Sequence, residues 1–413
     1  MVLAQTLTTS NGVASPVGTV VHSKQVSLSL AELEAILRLH PALDALSLSA
    51  EADRSRAEGA LGLPDPIISL GVNNFPLFSP SFTEFLPTHK FIGVQQAIPN
   101  AAKRRAGSLK SLRSAAQTEL QKQMQFATLR GELYTLLIER EKIAKLRELA
   151  LAREVKYQEL TEIIEIEINA GRPVVFRLAE ADVERMEVAR TLADLDGKEA
   201  AIHARFVDLV GLIPDTPAPL VTPITWSQNA LSFYAVRVAD AAVEIEDAEV
   251  QKAKADFKPD WGVNVRYQQR EAGNGAPFSN FDGDDWVSGA VSFTIPFWSK
   301  KRQDPNLRAA NSDRSAAMAR RAAVARQVLF VWKRYQAHRN VAVENIKILD
   351  IKIAAIQQQV AATLIIYETG VGDYSSILDG EIAILMLRSQ KQIEASQRDR
   401  AAVNMNSLLV GAK

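Results

Sequence analysis

The spacing of apolar positions changes twice along the chain, in the same order each time. From Ser29 to Gly62, Leu30, Leu33, Ile36 and Leu37 recur at three- and four-residue steps, one face of a helix, and Pro41 divides the run in two. After Pro64 the period falls to two: Ile68, Leu70 and Val72 alternate with Ser69, Gly71 and Asn73, which predicts a strand. Three prolines and four phenylalanines between Phe75 and Thr88 form a loop with an apolar tip, and a second strand runs from Lys90 to Ile98. No proline then occurs from Ala102 to Asn169, a stretch dense in Ala, Leu, Glu, Lys, Arg and Gln. At 1.5 Å per residue it predicts a coiled-coil-like rod of roughly 100 Å. Ala170, Gly171, Arg172 and Pro173 stop it, a return helix spans Val174 to Leu212, and Pro214, Pro217, Pro219 and Pro223 close the half.

The second half repeats this order. A helix from Ser227 to Phe257 leads to Pro259, after which Trp261, Val263, Val265 and Tyr267 alternate with Gly262, Asn264, Arg266 and Gln268. A Gly-, Asn- and Asp-rich loop from Glu271 to Asp285 precedes a strand from Val287 to Ile295. A second proline-free helix follows from Leu307 to Glu368, then a stop at Thr369–Gly372 and a last helix from Tyr374 to Leu409. Ile98-Pro99 answers Ile295-Pro296, and both are followed by basic clusters, Lys103, Arg104, Arg105 and Lys300, Lys301, Arg302. The chain therefore reads as an extended or disordered segment 1–28 and two copies of one unit. The first copy is 29–223, with a β-hairpin at 64–99 and a helical hairpin at 102–212. The second is 224–413, with a β-hairpin at 259–296 and a helical hairpin at 304–411. The fold class is α+β, mostly helical.

Composition narrows the setting. The chain has 48 basic and 48 acidic residues, so no net field recruits nucleic acid. Cysteine is absent, which excludes disulfides and thiolate metal sites. Val2 and Ala4 stand where small residues precede a signal-peptidase cut, so the start reads as the remainder of a signal peptide or as an ordinary extended terminus. No run of about 18 apolar residues encodes a transmembrane helix. A closed barrel remains open to the chain, because its strands need only about 9 to 11 alternating residues. Four strands cannot close alone, and an open sheet with an apolar face leaves two bare edges. Three copies would supply twelve strands, an even number in the range of outer-membrane barrels. Trp261, Tyr267 and Trp286 suit its interfacial girdles.

The two-fold repeat, the strand ending QQAIPNAAKRR, the segment IPFWSKKRQDPNLRAA and the stretch YETGVGDYSSILDGEIAIL make the chain resemble the TolC-like outer-membrane efflux proteins, over about Ser29 to Leu409. The segments QQAIPNAAKRR and IPFWSKKRQDPNLRAA are most similar to the heavy-metal, CzcC-like branch. The resemblance implies a homotrimeric duct in the outer membrane of a Gram-negative bacterium: a twelve-stranded β-barrel in outer-membrane lipid, continued by an α-helical barrel across the periplasm. It implies a tripartite RND-type efflux system, in which a periplasmic membrane-fusion adaptor links the duct to an inner-membrane RND pump, with heavy-metal cations as cargo. A drug-efflux or type I secretion duct is the alternative within this fold, and a soluble coiled-coil scaffold is the alternative outside it.

The resemblance also implies site residues. The tips Gly171, Arg172, Pro173 and Gly370, Val371, Gly372 would meet the adaptor, and Tyr367, Asp373 and Asp379 would form the periplasmic gate. Ser376 stands where some members carry a second acidic ring and Gly372 where an arginine can stand, which argues against a strong ionic lock. Asp373, after a glycine and before a helix, also fits a plain N-cap. The basic clusters read as barrel-to-helix junctions beside the membrane surface. Five scattered histidines lack the i, i+4 spacing of a helical metal site, and no phosphate loop or catalytic constellation occurs. No metal, cofactor or enzymatic activity is expected.

Overall fold

The computed structural model describes residues 27–85, 87–273 and 282–411. The expected extended segment 1–28 therefore lies almost wholly outside the described residues, as does part of the 271–285 loop. Among the described residues the order is α1 (Leu30–Leu37), α2 (Pro41–Gly59), β1 (Ile67–Asn73), β2 (His89–Ile98), α3 (Ala101–Asn169), α4 (Val175–Val210), α5 (Tyr234–Ala255), β3 (Trp261–Gln269), β4 (Trp286–Phe293), α6 (Gln303–Glu368) and α7 (Tyr374–Ser407).

Local chemistry sets the boundaries. Ser29 and Glu32 form a reciprocal capping box on α1, and Pro41 opens α2 at a position where a missing N–H costs nothing. Asn100 caps α3 by accepting from the Lys103 amide at 2.9 Å. Its own side-chain amide donates to the Ala255 carbonyl at 3.1 Å and to Asp260 at 3.0 Å, so one residue fixes both the β2-to-α3 bend and its position against the α5–β3 junction. Lys103, from the first basic cluster, pairs with Asp256 at 3.0 Å beside it.

The strands form one antiparallel sheet in the order β1-β2-β3-β4. Its register places Leu70, Ile92, Tyr267 and Val287 in one row and Ile98, Trp261 and Phe293 in another, on a common apolar face. The opposite face carries Ser69, Gln95, Asn264, Arg266, Ser288 and Ser292. Trp286 departs from expectation: it pairs with Gln268 and lies on the polar face, opposite to Trp261 and Tyr267. The parity of β4 explains this, since Val287 is the first residue of its apolar set and side chains reverse at every step.

The helices form two further open arcs. Near the sheet, contacts run α2–α3–α5–α6, with ion pairs Arg54–Glu119, Lys110–Glu249 and Arg314–Asp247 between successive members. Toward the other end they run α4–α3–α7–α6, with Arg185–Glu154, Lys156–Glu381 and Lys391–Asp350 between members. Exposed ion pairs contribute only about 0–1 kcal/mol each, so they set register rather than stability. The apolar clusters dominate, at roughly 1.5–3 kcal/mol per buried large side chain. Leu33, Leu37, Leu133, Leu137 and Phe206 form one at the waist, and Phe233, Val328, Trp332, Met405 and Leu409 another.

Two sequence expectations shift. The helix expected from Ser227 begins only at Tyr234, because Phe233 is buried and bridges Leu409 as extended backbone while Trp226 packs on Phe233 and Trp332. Although the sequence has no unbroken apolar run, α6 contains an 18-residue window that is apolar enough on average to span a membrane, and only 6% of it is buried.

All three layers are open in the same sense. β1, α2 and α4 bound one side and β4 and α6 the other, with apolar residues exposed on the bounding helices: Val183 and Met186 on α4 and Ile351, Ile365 and Ile366 on α6.

Candidate functional site

At the end far from the sheet, the α3–α4 and α6–α7 turns lie side by side. Gly171 and Gly370 both adopt left-handed backbone, φ 83° and 82°, as the C-cap of a helical hairpin requires. At the first turn the amide of Arg172 donates to Glu167 and that of Gly171 to Ile168, a complete Schellman motif. At Gly372 a Cβ would stand 2.6 Å from the Tyr367 backbone nitrogen, so only glycine fits the second turn.

Arg177, on the first turn of α4, joins the two hairpins. Its guanidinium donates to the hydroxyl of Ser375, which is fully buried, and to Asp379 at 2.7 Å, and lies 3.8 Å from Asp373. Asp373 caps α7 by accepting from the Ser375 amide at 3.1 Å. Glu167, 9% exposed at the end of α3, sits against Asp373 with Arg172 at 3.5 Å. Behind this cluster Tyr157, Leu160, Ile164, Val188, Leu378 and Ile382 pack α3, α4 and α7 together. A groove of about 590 Å³ opens between these helices beside Arg177, Glu184, Asp379 and Met386.

The carboxyls of Glu167 and Asp373 are pushed in opposite directions. The hydrogen bond to Asp373, helped by burial, raises Glu167 above the usual carboxylate range. Burial works to raise Asp373 too, but hydrogen bonds from Ser375 and Glu167 and the Arg177 charge outweigh it and hold Asp373 low. The raised Glu167 contributes stability that is complete below its ordinary value of 4.5 and is lost as pH rises through its folded value. The depressed Asp373 contributes stability that is complete above its ordinary value of 3.8 and is lost as pH falls through its folded value. The joined tips are therefore tightest in mild acid and loosen toward neutrality. Glu167→Gln keeps a donor toward Asp373 without the titration. Amide exchange across 370–376 should slow on going from pH 7 to 4.5 in the wild type, after correction for intrinsic rates, and stay level in the variant. An equal change in both would remove Glu167 as the cause.

The residues singled out from sequence divide by location. Asp373 is an N-cap, Asp379 an ion-pair partner, and Tyr367 packs against Tyr374 with the rings tilted by 56° and their centroids 5.3 Å apart. Gly171, Arg172, Pro173, Gly370 and Val371 are exposed at the turns, with Gly372 half-buried between them. Trp261, Tyr267 and Trp286 lie on the sheet, the length of α3 away. Sequence reading missed Arg177, Ser375 and Glu167. Arg177 and Asp379 are 202 positions apart, and no spacing rule links them.

No protein-family model matches the sequence, and a search of the curated proteins returns no match. Solved structures do match. CusC, described in connection with transmembrane channel formation, is 14% identical with a TM-score of 0.74, covering 96% of each chain. The outer-membrane channel OprN is 17% identical with a TM-score of 0.73, covering 93% of this chain and 90% of its own. The chain has the outer-membrane channel fold. The open-state MtrE outer-membrane channel of Neisseria gonorrhoeae shares it at 16% identity and a TM-score of 0.67, over 93% of this chain and 89% of that one.

Proposed function

We propose that this protein is a passive export duct of a Gram-negative outer membrane, built from three copies of the chain. The observation that carries the reading is the common handedness of its open edges. Strand edge, upper helical arc and lower helical arc each end on first-half elements at one side and on β4 or α6 at the other. A head-to-tail rotation meets all three pairs of edges at once, and three copies give a closed twelve-stranded barrel. The bare apolar window of α6 gains cover from the α4 edge of the next copy, and the apolar face of the sheet meets lipid. The fold shared with outer-membrane channels supports this, as does the repeated order of hairpin and helical hairpin, which we read as a duplication dividing near residue 223.

In this reading the exposed turns at 171–173 and 370–372 dock a periplasmic adaptor, an inner-membrane RND pump supplies the driving force, and the protein itself is not an enzyme. Tyr367, Asp373 and Asp379 surround the periplasmic mouth. Heavy-metal cations are the cargo favoured by the segments QQAIPNAAKRR and IPFWSKKRQDPNLRAA. A strain lacking the protein should lose tolerance to one or more of cobalt, zinc, cadmium, nickel, copper and silver. Unchanged tolerance to all six would overturn the metal assignment and leave the drug or secretion duct.

A further inference from the structure

The polar face of the sheet carries a charge pattern that export alone does not require. Along the four strands its only ionised side chain is Arg266, in the middle of β3; no carboxylate occupies a position of that parity. The guanidinium of Arg266 does not reach for an acid. It leans across Gly93 and stacks on Phe91, 4.4 Å from the ring centroid, and its Nε is buried with no hydrogen-bond partner. The site is built to hold that posture. A Cβ at Gly71 would come 2.9 Å from the Phe91 ring, so glycine lets the ring lie over β1, and buried Gly93 leaves the passage for Arg266. A second guanidinium, Arg270, stacks on Trp286 at 4.4 Å further toward the strand-connecting loops. The carboxylates at that end lie beyond the strands: Glu271 pairs with Lys90 on the apolar face at 2.7 Å, Asp285 accepts from the Tyr267 hydroxyl, and Glu84, Asp282 and Asp284 sit in the connecting loops, where the Asp282 backbone carbonyl accepts from Arg270.

We propose that Arg266, held on Phe91, forms a three-fold guanidinium belt inside the barrel that makes the exit of the duct favour anions over cations, so that cargo leaves as an anion or with its positive charge covered. The inference rests on the duct reading above, which turns the polar face toward the lumen. Stacking on an aromatic face keeps the charge while fixing the side chain, and a guanidinium stays ionised at every working pH. One sign of charge within low-dielectric walls concentrates counter-ions, by about tenfold or more. The belt acts across the lumen at low salt, where the Debye length is about 30 Å at 0.01 M, and is screened at 1 M, where it is about 3 Å.

The test is the reversal potential of the purified wild-type assembly in planar bilayers under a potassium chloride gradient near 0.01 M (about a 30 Å Debye length), beside Arg266→Gln, Arg266→Glu and Arg266→Lys. The chloride-to-potassium permeability ratio should fall in Arg266→Gln, fall by about tenfold in Arg266→Glu and be kept in Arg266→Lys, with the differences fading at high salt. Conducting variants with the wild-type ratio would overturn the belt and leave the duct standing. No current from either the wild type or Arg177→Ala, in which the joined tips are released, would overturn the duct reading and the belt with it.

Discussion

Leu70→Arg is expected to remove the protein from the outer membrane. Leu70 is central in β1, 75% exposed, and stands in the apolar row with Ile92 and Tyr267. An arginine on the lipid face of a barrel near mid-depth costs about 2–4 kcal/mol, so three copies cost roughly 6–12 kcal/mol per assembly. That is comparable with the whole stability of a typical domain, about 5–15 kcal/mol. Asn264→Arg, on the polar face of β3, adds the same side chain where water reaches it and should insert at near wild-type levels. Quantifying both variants in outer-membrane fractions checks this, and equal recovery would mean that the apolar face does not meet lipid.

Arg177→Ala should have the next largest effect, on conduction rather than insertion. The side chain bonds Ser375 and Asp379 and approaches Asp373, and its loss takes from the buried hydroxyl and the two carboxylates the cation they share. Hydrogen bonds to charged groups contribute about 1.5–3 kcal/mol. Asp379 is half exposed, so the lower figure applies, and the population with parted tips rises about tenfold. In planar bilayers the open probability of the variant should rise accordingly, and Arg177→Lys should restore part of the wild-type value. An unchanged open probability would confine Arg177 to a structural role.

Much of this arrangement was legible before any coordinates. Period-two stretches bounded by Pro64, Ile-Pro and Pro259 located the strands, and proline-free runs ending in Gly171 and Gly370 located the long helices. These signals are local, and each is a backbone requirement that few residues meet. What was not legible depended on partners distant in the chain. Trp286 looked like a girdle aromatic until its pairing with Gln268 fixed its face. The start of α5 was set by Phe233 against Leu409, 176 positions on, which no helical period near Ser227 records. Arg177 looked like one of many charged residues on a helix. Asp379 was visible only through a family resemblance, which attached it to an acidic ring, whereas the fold attaches it to an arginine on the other hairpin.

The closure of three copies into one duct is tested most directly by the mass of the assembly released from outer membranes in mild detergent, measured by native mass spectrometry. The account expects a single species of three times the 45.3 kDa chain. A species of one or two chains would leave the β1, β4, α4 and α6 edges uncovered and would contradict it.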